Sequence, residues 1–146
     1  MDYGVRVMTA LAARGGAEPI SREHLARDQD VSAGFLDEIL RALRVAGLTR
    51  SHRGTTGGWT LAHPPEAITV ADVIRALEGP LASVRGVRPQ ELASMGIGEP
   101  FISLWVAVRA ALRSVLEVVT LADLAAGTLP ASVRRLLDDP EAWTVH

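Results

Sequence analysis

The sequence predicts a mainly α-helical fold with one small β-hairpin, and three observations carry that expectation. Apolar residues recur at helical spacing in several separate segments. A helix ending in Leu43-Arg44-Val45-Ala46-Gly47-Leu48 runs straight into the glycine-rich stretch Ser51-His52-Arg53-Gly54-Thr55-Thr56-Gly57-Gly58-Trp59-Thr60-Leu61. From Ile39 to Pro65 there is no Asp or Glu, yet Arg41, Arg44, Arg50 and Arg53 fall there, with His52 and His63. Glycines allow a hairpin tip to adopt φ > 0 and lie flat against a phosphate backbone.

The elements follow in order. Tyr3 to Ala13 places Val5, Met8, Leu11 and Ala12 at helical spacing and is broken by Gly15-Gly16. Ser21 caps a short helix, Arg22 to Asp28, that buries Leu25 and Ala26. Val31 closes the turn, and Ser32 caps a third helix running to about Ala46. Its inward stripe is Leu36, Ile39, Leu40 and Leu43; Ser32, Ala33, Gly34, Asp37, Glu38, Arg41 and Arg44 are left outside. Two short helices joined by about three residues, the second with a polar outer face, make a helix-turn-helix. Thr49 to Ser51 and Trp59 to Ala62 form the arms of a hairpin wing, ended by Pro64-Pro65. Ile68 to Glu78 is a further amphipathic helix with a capping box at Thr69 and Asp72. Its Ile68, Val70, Val73, Ile74 and Leu77 are expected to pack under the first three helices.

Gly79-Pro80 marks a boundary. Residues 81–100 read as a Gly- and Pro-broken loop with one turn at Gln90–Met95. Phe101 to Val119 then reads as one helix of about 19 residues, roughly 28 Å long. Its apolar residues exceed what the remaining tail can bury, so Phe101, Leu104, Trp105, Val108, Leu112 and Val115 are expected at a dimer interface. Thr120 to Ala126 is a short capped helix, and Ala131 to Leu137 another, entered by Pro130. The expected division is a winged helix-turn-helix over 1–79, a linker or effector loop over 80–100, and a helical dimerisation region over 101–146.

Composition excludes several functions. The chain of 146 residues has no Cys, hence no disulfide, no thiol nucleophile and no thiolate ligand for zinc or an iron–sulfur cluster. No nucleophile elbow, phosphate loop or His–carboxylate metal spacing is present, so an enzyme is not expected, and neither is a cofactor. His24, His52, His63 and His146 share no metal-ligand spacing. No apolar run reaches the roughly 18 residues needed to span a bilayer, and no leader-like segment is visible, so a cytoplasmic location is expected. The net charge of −2 does not favour nucleic acid. Local distribution matters more, because attraction to phosphates decays within roughly 8–10 Å at cellular salt. All fifteen basic residues are Arg.

The expected partner is double-stranded DNA. Candidate contacts are Ser32, Ala33, Gly34, Asp37, Arg41 and Arg44 on the third helix and Arg50, Arg53, Gly54, Thr55 and Thr56 in the wing. Arg53 reads either as a minor-groove residue or as a solvated surface cation. Arg44 and Arg50 suit phosphate contacts. Asp37 either steadies the helix N-terminus or accepts from cytosine N4. Trp59 reads as packing the wing onto the body. Trp105 is core or interface on one reading and a stacking wall for a planar ligand on another. Glu99, Met95 and His24 are groups that an effector site could draw on.

These residues resemble the Rrf-two family of bacterial transcription regulators, which includes iron–sulfur-assembly, nitric-oxide-sensing and cysteine-metabolism repressors. The resemblance rests on Ile20-Ser21, His24-Leu25-Ala26, Val31-Ser32, Phe35-Leu36 and Leu43-Arg44 with Ala46-Gly47-Leu48. It continues through Arg53-Gly54, Gly57-Gly58, the run Ile68 to Ile74, Leu77-Glu78-Gly79, Leu104-Trp105 and Thr120 to Leu124. It implies a homodimer whose long helices cross, a two-fold-symmetric operator, and most often repression. By motif, Ser32, Gly34 and Asp37 take recognition positions and Arg53 the wing position. Relatives usually carry a hydroxyl and a Glu where this chain has Gly34 and Asp37. Most also start earlier, with basic residues before the first helix. Cluster-binding relatives place three Cys where this chain has Val87, Ala93 and Glu99, so no iron–sulfur cluster is expected. An unidentified small-molecule effector at the 80–100 loop is a further expected partner. Two rivals stand beside this reading: a family member acting through protein contacts, and a small-molecule-binding protein that carries a winged-helix domain.

Overall fold

Helix α1 (Asp2–Ala13) forms because Val7, Met8, Leu11 and Ala12 fall on one face, and all four are buried. This computed structural model describes residues 2–83, 86–87, 91, 96 and 98–144. Helix α1 ends where Gly15 and Gly16 turn the chain with positive φ. Helix α2 (Arg22–Gln29) is capped by Ser21, whose Oγ accepts from the His24 amide at 3.2 Å. It stops at Asp30 in the left-handed region, a conformation that Asp tolerates better than most residues. Val31 N–H donates to the Ala26 carbonyl and closes the turn. Helix α3 (Ala33–Val45) starts at the Ser32 cap and buries Leu36, Ile39, Leu40 and Leu43, the stripe that its periodicity predicts.

Strands β1 (Thr49–His52) and β2 (Gly58–Leu61) pair antiparallel, with Thr49 opposite Leu61 and His52 opposite Gly58. A third segment joins this ladder at one point: Ile20 and Trp59 exchange backbone hydrogen bonds at 3.0 and 2.8 Å. Trp59 is half-buried against the core, as its expected packing role requires. After a 3₁₀ turn at Pro65–Ala67, helix α4 (Val70–Glu78) carries the expected capping box between Thr69 and Asp72. Helices α5 (Glu99–Leu116), α6 (Leu121–Ala125) and α7 (Ala131–Arg134) follow, and 3₁₀ turns at Arg135–Leu137 and Pro140–Trp143 finish the chain.

Two apolar clusters hold these pieces. The larger joins α1, α2, α3, β2 and Val73 of α4, and it includes Leu121 of α6. The smaller joins Val70, Ala71 and Ile74 of α4 to Leu81, Val119 and Val133. Helix α4 is therefore two-faced. Of the stripe expected under the first three helices, Ile68 and Val73 lie there with half-buried Leu77, whereas Val70 and Ile74 turn to the second cluster.

The path of the C-terminal segment explains one further difference from expectation. Helix α5 ends at Leu116 rather than Val119. Val70 N–H donates to the Val119 carbonyl, and Leu121 N–H donates to the Ile68 carbonyl, both at 2.9 Å. This bridge pulls Val119 out of the helix and buries it. A second capping box, Thr120 with Asp123, starts α6 beside the first. The helix expected over 131–137 is one α-turn continued by a 3₁₀ turn. The turn expected at 90–95 falls, apart from Glu91, outside the described residues. Among the described residues no helix is long and apolar enough to cross a membrane.

Candidate nucleic-acid interface

The face opposite the α3 core stripe carries the candidate residues. Ser32, Ala33, Gly34, Asp37, Arg41 and Arg44 are all exposed. Ser32 Oγ accepts from the Phe35 amide at 3.3 Å, which leaves its O–H free to donate outward. Gly34 has open space around it, so the recognition helix presents a bare patch there. Asp37, Arg41 and Arg44 stand at i, i+4 and i+7 and form one stripe.

The wing lies C-terminal to that stripe. Its tip turns at Gly54, with φ 104°, and closes with Gly57 N–H donating to the Gly54 carbonyl at 3.0 Å. A Cβ on Gly58 would lie 2.4 Å from the Ile20 carbonyl oxygen, so only glycine lets β2 meet the Ile20 segment. The His52 ring and Thr60 hydroxyl hydrogen-bond across the hairpin at 2.9 Å. Arg50, Arg53, Gly54, Thr55 and Thr56 are exposed. Among the described residues, the side chains of Arg41, Arg44, Arg50 and Arg53 make no ion pair or hydrogen bond, a consequence of the acid-free stretch. Four unpaired guanidinium groups on one recognition helix and wing form a surface suited to an anionic partner.

One residue of this face is missing from the expectation. Arg22, in the first turn of α2, places Nη1 at 2.9 Å from Asp37 Oδ2 and also reaches Glu23 at 3.3 Å. The adjacent Asp37 holds the Arg22 guanidinium still more firmly in its charged form. The available signal is a cation in the first turn of a helix, where the macrodipole disfavours it. His24 lies in a surface cluster, 2.9 Å from Asp28 and within hydrogen-bond distance of Arg14 and Arg27. No group of three or more metal-ligating side chains occurs among the described residues.

Helix α5 stands apart. None of its residues is fully buried, and Phe101, Leu104 and Leu112 are 42 %, 57 % and 39 % exposed. Trp105 and Val108 are half-buried, with the Phe101 and Trp105 rings 6.1 Å apart. Val115 packs against the second apolar cluster of its own chain. The end of α5 is anchored by Glu117, which pairs with Arg75 of α4 and with Arg113 at 2.9 Å. The hydrogen bonds from Arg113 and then Arg75 hold the Glu117 carboxyl below its usual range. A recess of about 250 Å³ lies between α4, residues 79–83 and α5, lined by Ile74, Glu78, Leu81, Ser83, Leu112 and Leu116.

The residues do not fit an iron–sulfur cluster. Such clusters are held chiefly by Cys thiolates, and the chain has no Cys. Val87 is half-buried and apolar, while Glu99 accepts a hydrogen bond from Ser103 at 2.7 Å. Ala93, like Met95, lies outside the described residues.

Residues 1–127 match the family model named Rrf2, described as an iron-dependent transcriptional regulator. The Mycobacterium tuberculosis protein Rv1287, provisionally named an HTH-type transcriptional regulator, is 44 % identical over 141 residues, 97 % of this chain and 88 % of the relative. The HTH-type transcriptional regulator CymR of Bacillus subtilis is 38 % identical over 126 residues, 86 % of each chain. The solved structure of CymR, the global cysteine regulator of B. subtilis, superposes with a TM-score of 0.69, covering 87 % of this chain and 93 % of that one. The structure of T. potens IscR superposes with a TM-score of 0.67 at 33 % identity, covering 99 % and 88 %. The relatives are named as transcription regulators, not enzymes. With a winged helix-turn-helix whose exposed arginines line the α3 and wing face, the chain belongs to the Rrf2 family of helix-turn-helix transcriptional regulators.

Proposed function

We propose that the protein is a homodimeric repressor that binds a two-fold-symmetric DNA operator and carries no iron–sulfur cluster. The observation that carries this reading is the set Arg41, Arg44, Arg50 and Arg53 on α3 and the wing, whose side chains are exposed and unpaired among the described residues. In this reading α3 enters the major groove with Ser32, Ala33, Gly34 and Asp37 at the base edges. Arg41, Arg44 and Arg50 meet phosphates, and Arg53 enters the minor groove with Gly54, Thr55 and Thr56 against the backbone. Residues 1–79 read DNA. The open face of α5, with Phe101, Leu104, Trp105, Val108 and Leu112, meets a second copy, and two recognition helices then address half-sites about 34 Å apart. Residues 117–134 tie α5 to the reading head through the Glu117 ion pairs and the Val119 bridge. A cytoplasmic location follows from this function.

The test is an electrophoretic shift against the DNA upstream of the protein's own gene at low and moderate salt. A retarded complex that weakens steeply with salt is expected, because phosphate contacts release counterions. No retardation at low salt would contradict the reading. A reporter driven by the same DNA separates repression from activation, with lower expression in the presence of the protein expected. Any effector signal is assigned to the 80–100 segment, whose residues 80–83 line the recess under α5. Deleting residues 86–98 should then abolish effector responses while leaving a folded reading head.

A further inference from the structure

We propose that Arg22 is a positioning residue for operator reading: it holds the Asp37 carboxylate on the α2 side of the recognition helix and so leaves Arg41 free for DNA. The proposal rests on the DNA-binding reading above and extends it to a residue outside α3 and the wing.

Three observations converge. Arg22 and Asp37 meet at 2.9 Å across the helix-turn-helix, with side chains 45 % and 47 % exposed, on the face where DNA would lie. Asp37 stands four residues before Arg41, the spacing and polarity that favour an acid–base pair within a helix. Yet Asp37 pairs with Arg22, and among the described residues Arg41 pairs with nothing. Arg22 also occupies the first turn of α2, where a cation opposes the helix dipole, so its placement does not serve that helix. An exposed ion pair of this kind contributes little to folding.

On DNA the pair has a clear chemical use. A bare carboxylate on a recognition helix is repelled by the phosphates on either side of the groove. Neutralised and oriented by Arg22, Asp37 can approach a base edge and accept from cytosine N4. The guanidinium keeps further N–H donors for a phosphate. Without Arg22, Asp37 is released to swing toward Arg41, which removes one phosphate contact and misplaces the acceptor together.

The experiment selects duplexes from a random library with the full-length wild-type chain. Binding of wild type, Arg22→Ala, Arg22→Lys, Asp37→Asn and the Arg22→Ala/Asp37→Asn double variant is then measured by anisotropy. The probes are the selected duplex and a set with each base pair exchanged, and melting curves check the folds. Asp37→Asn is expected to lose about tenfold of discrimination at one symmetry-related base pair. Arg22→Ala is expected to lose a similar factor at the same pair, Arg22→Lys less, and the double variant no more than either single. Uniform weakening of Arg22→Ala on every duplex, with discrimination intact, would overturn the proposal, because that is the behaviour of a plain phosphate contact. So would independent, multiplying losses in the double variant, or an Asp37→Asn variant with unchanged base preference. If the wild type itself selects no sequence, the operator-binding function falls, and this inference with it.

Discussion

The reading head and the long helix are written in the same apolar code, yet they end in opposite states. In α3 each of the four stripe residues is buried, and Leu36, Leu40 and Leu43 are fully so. In α5, 18 residues long and comparably apolar, not one residue reaches that state, and Leu104 is 57 % exposed. The head closes its core with its own elements and Leu121 of α6, whereas among the described residues α5 packs against its chain through α4 and the second cluster, near its C-terminal end. Periodicity shows which face of a helix seeks cover; it does not show whether the cover comes from the same chain.

The largest test of that contrast is truncation on either side of it. Leu36→Ala or Leu40→Ala should cost about 2–5 kcal/mol of stability in urea unfolding. Leu121→Ala should cost as much, since Leu121 shares that core despite lying beyond α5. Leu104→Ala should stay within about 0.5 kcal/mol when measured on dissociated chains. Equal losses at Leu36 and Leu104 in dissociated chains would erase the contrast. Next comes Arg53→Ala, expected to weaken operator binding by about 1–3 kcal/mol with unchanged unfolding. An unaltered titration by a well-folded variant would remove Arg53 from the interface.

Smaller effects probe the seam between the two regions. Asp72→Ala and Asp123→Ala each remove half of a capping box and should cost about 1 kcal/mol. A negligible loss at Asp123 alone would mean that α6 is not held as the head is. The smallest effect is a pH dependence at Glu117. Its carboxyl titrates below the usual range when folded, so its pairing stabilises the fold above the unfolded-state value, roughly pH 4, and is lost as pH falls through the folded value. Wild type should thus exceed Glu117→Gln in stability at neutral pH, and the two should converge under acid. Parallel curves would show that Glu117 does not anchor α5.

Much of the head was legible because its signals are local. Ser21 and Ser32 announce helix starts, and Thr69 with Asp72 spells its capping box within four residues. Gly47 and the glycines of the wing mark turns that only glycine makes easily. The end of α5 was not legible, because Val115, Leu116, Val118 and Val119 continue the apolar pattern and no Gly or Pro breaks it. The Val70 amide interrupts it by taking the Val119 carbonyl, a contact set by how the chain returns. The two faces of α4 depend on the same return. At the interface, the exposed arginines followed from the acid-free stretch, but the Arg22–Asp37 pair depends on the angle at which α2 docks on α3.

In the proposed assembly the uncovered face of α5 is completed by a second copy of this chain. Sedimentation equilibrium of the wild-type protein at micromolar concentration tests it most directly, with Leu104→Glu as the partner sample. A wild-type mass twice the 15.5 kDa of one chain is expected, with a shift toward the single-chain mass in Leu104→Glu with its fold retained. A wild-type protein that sediments as a single 15.5 kDa species throughout would contradict it.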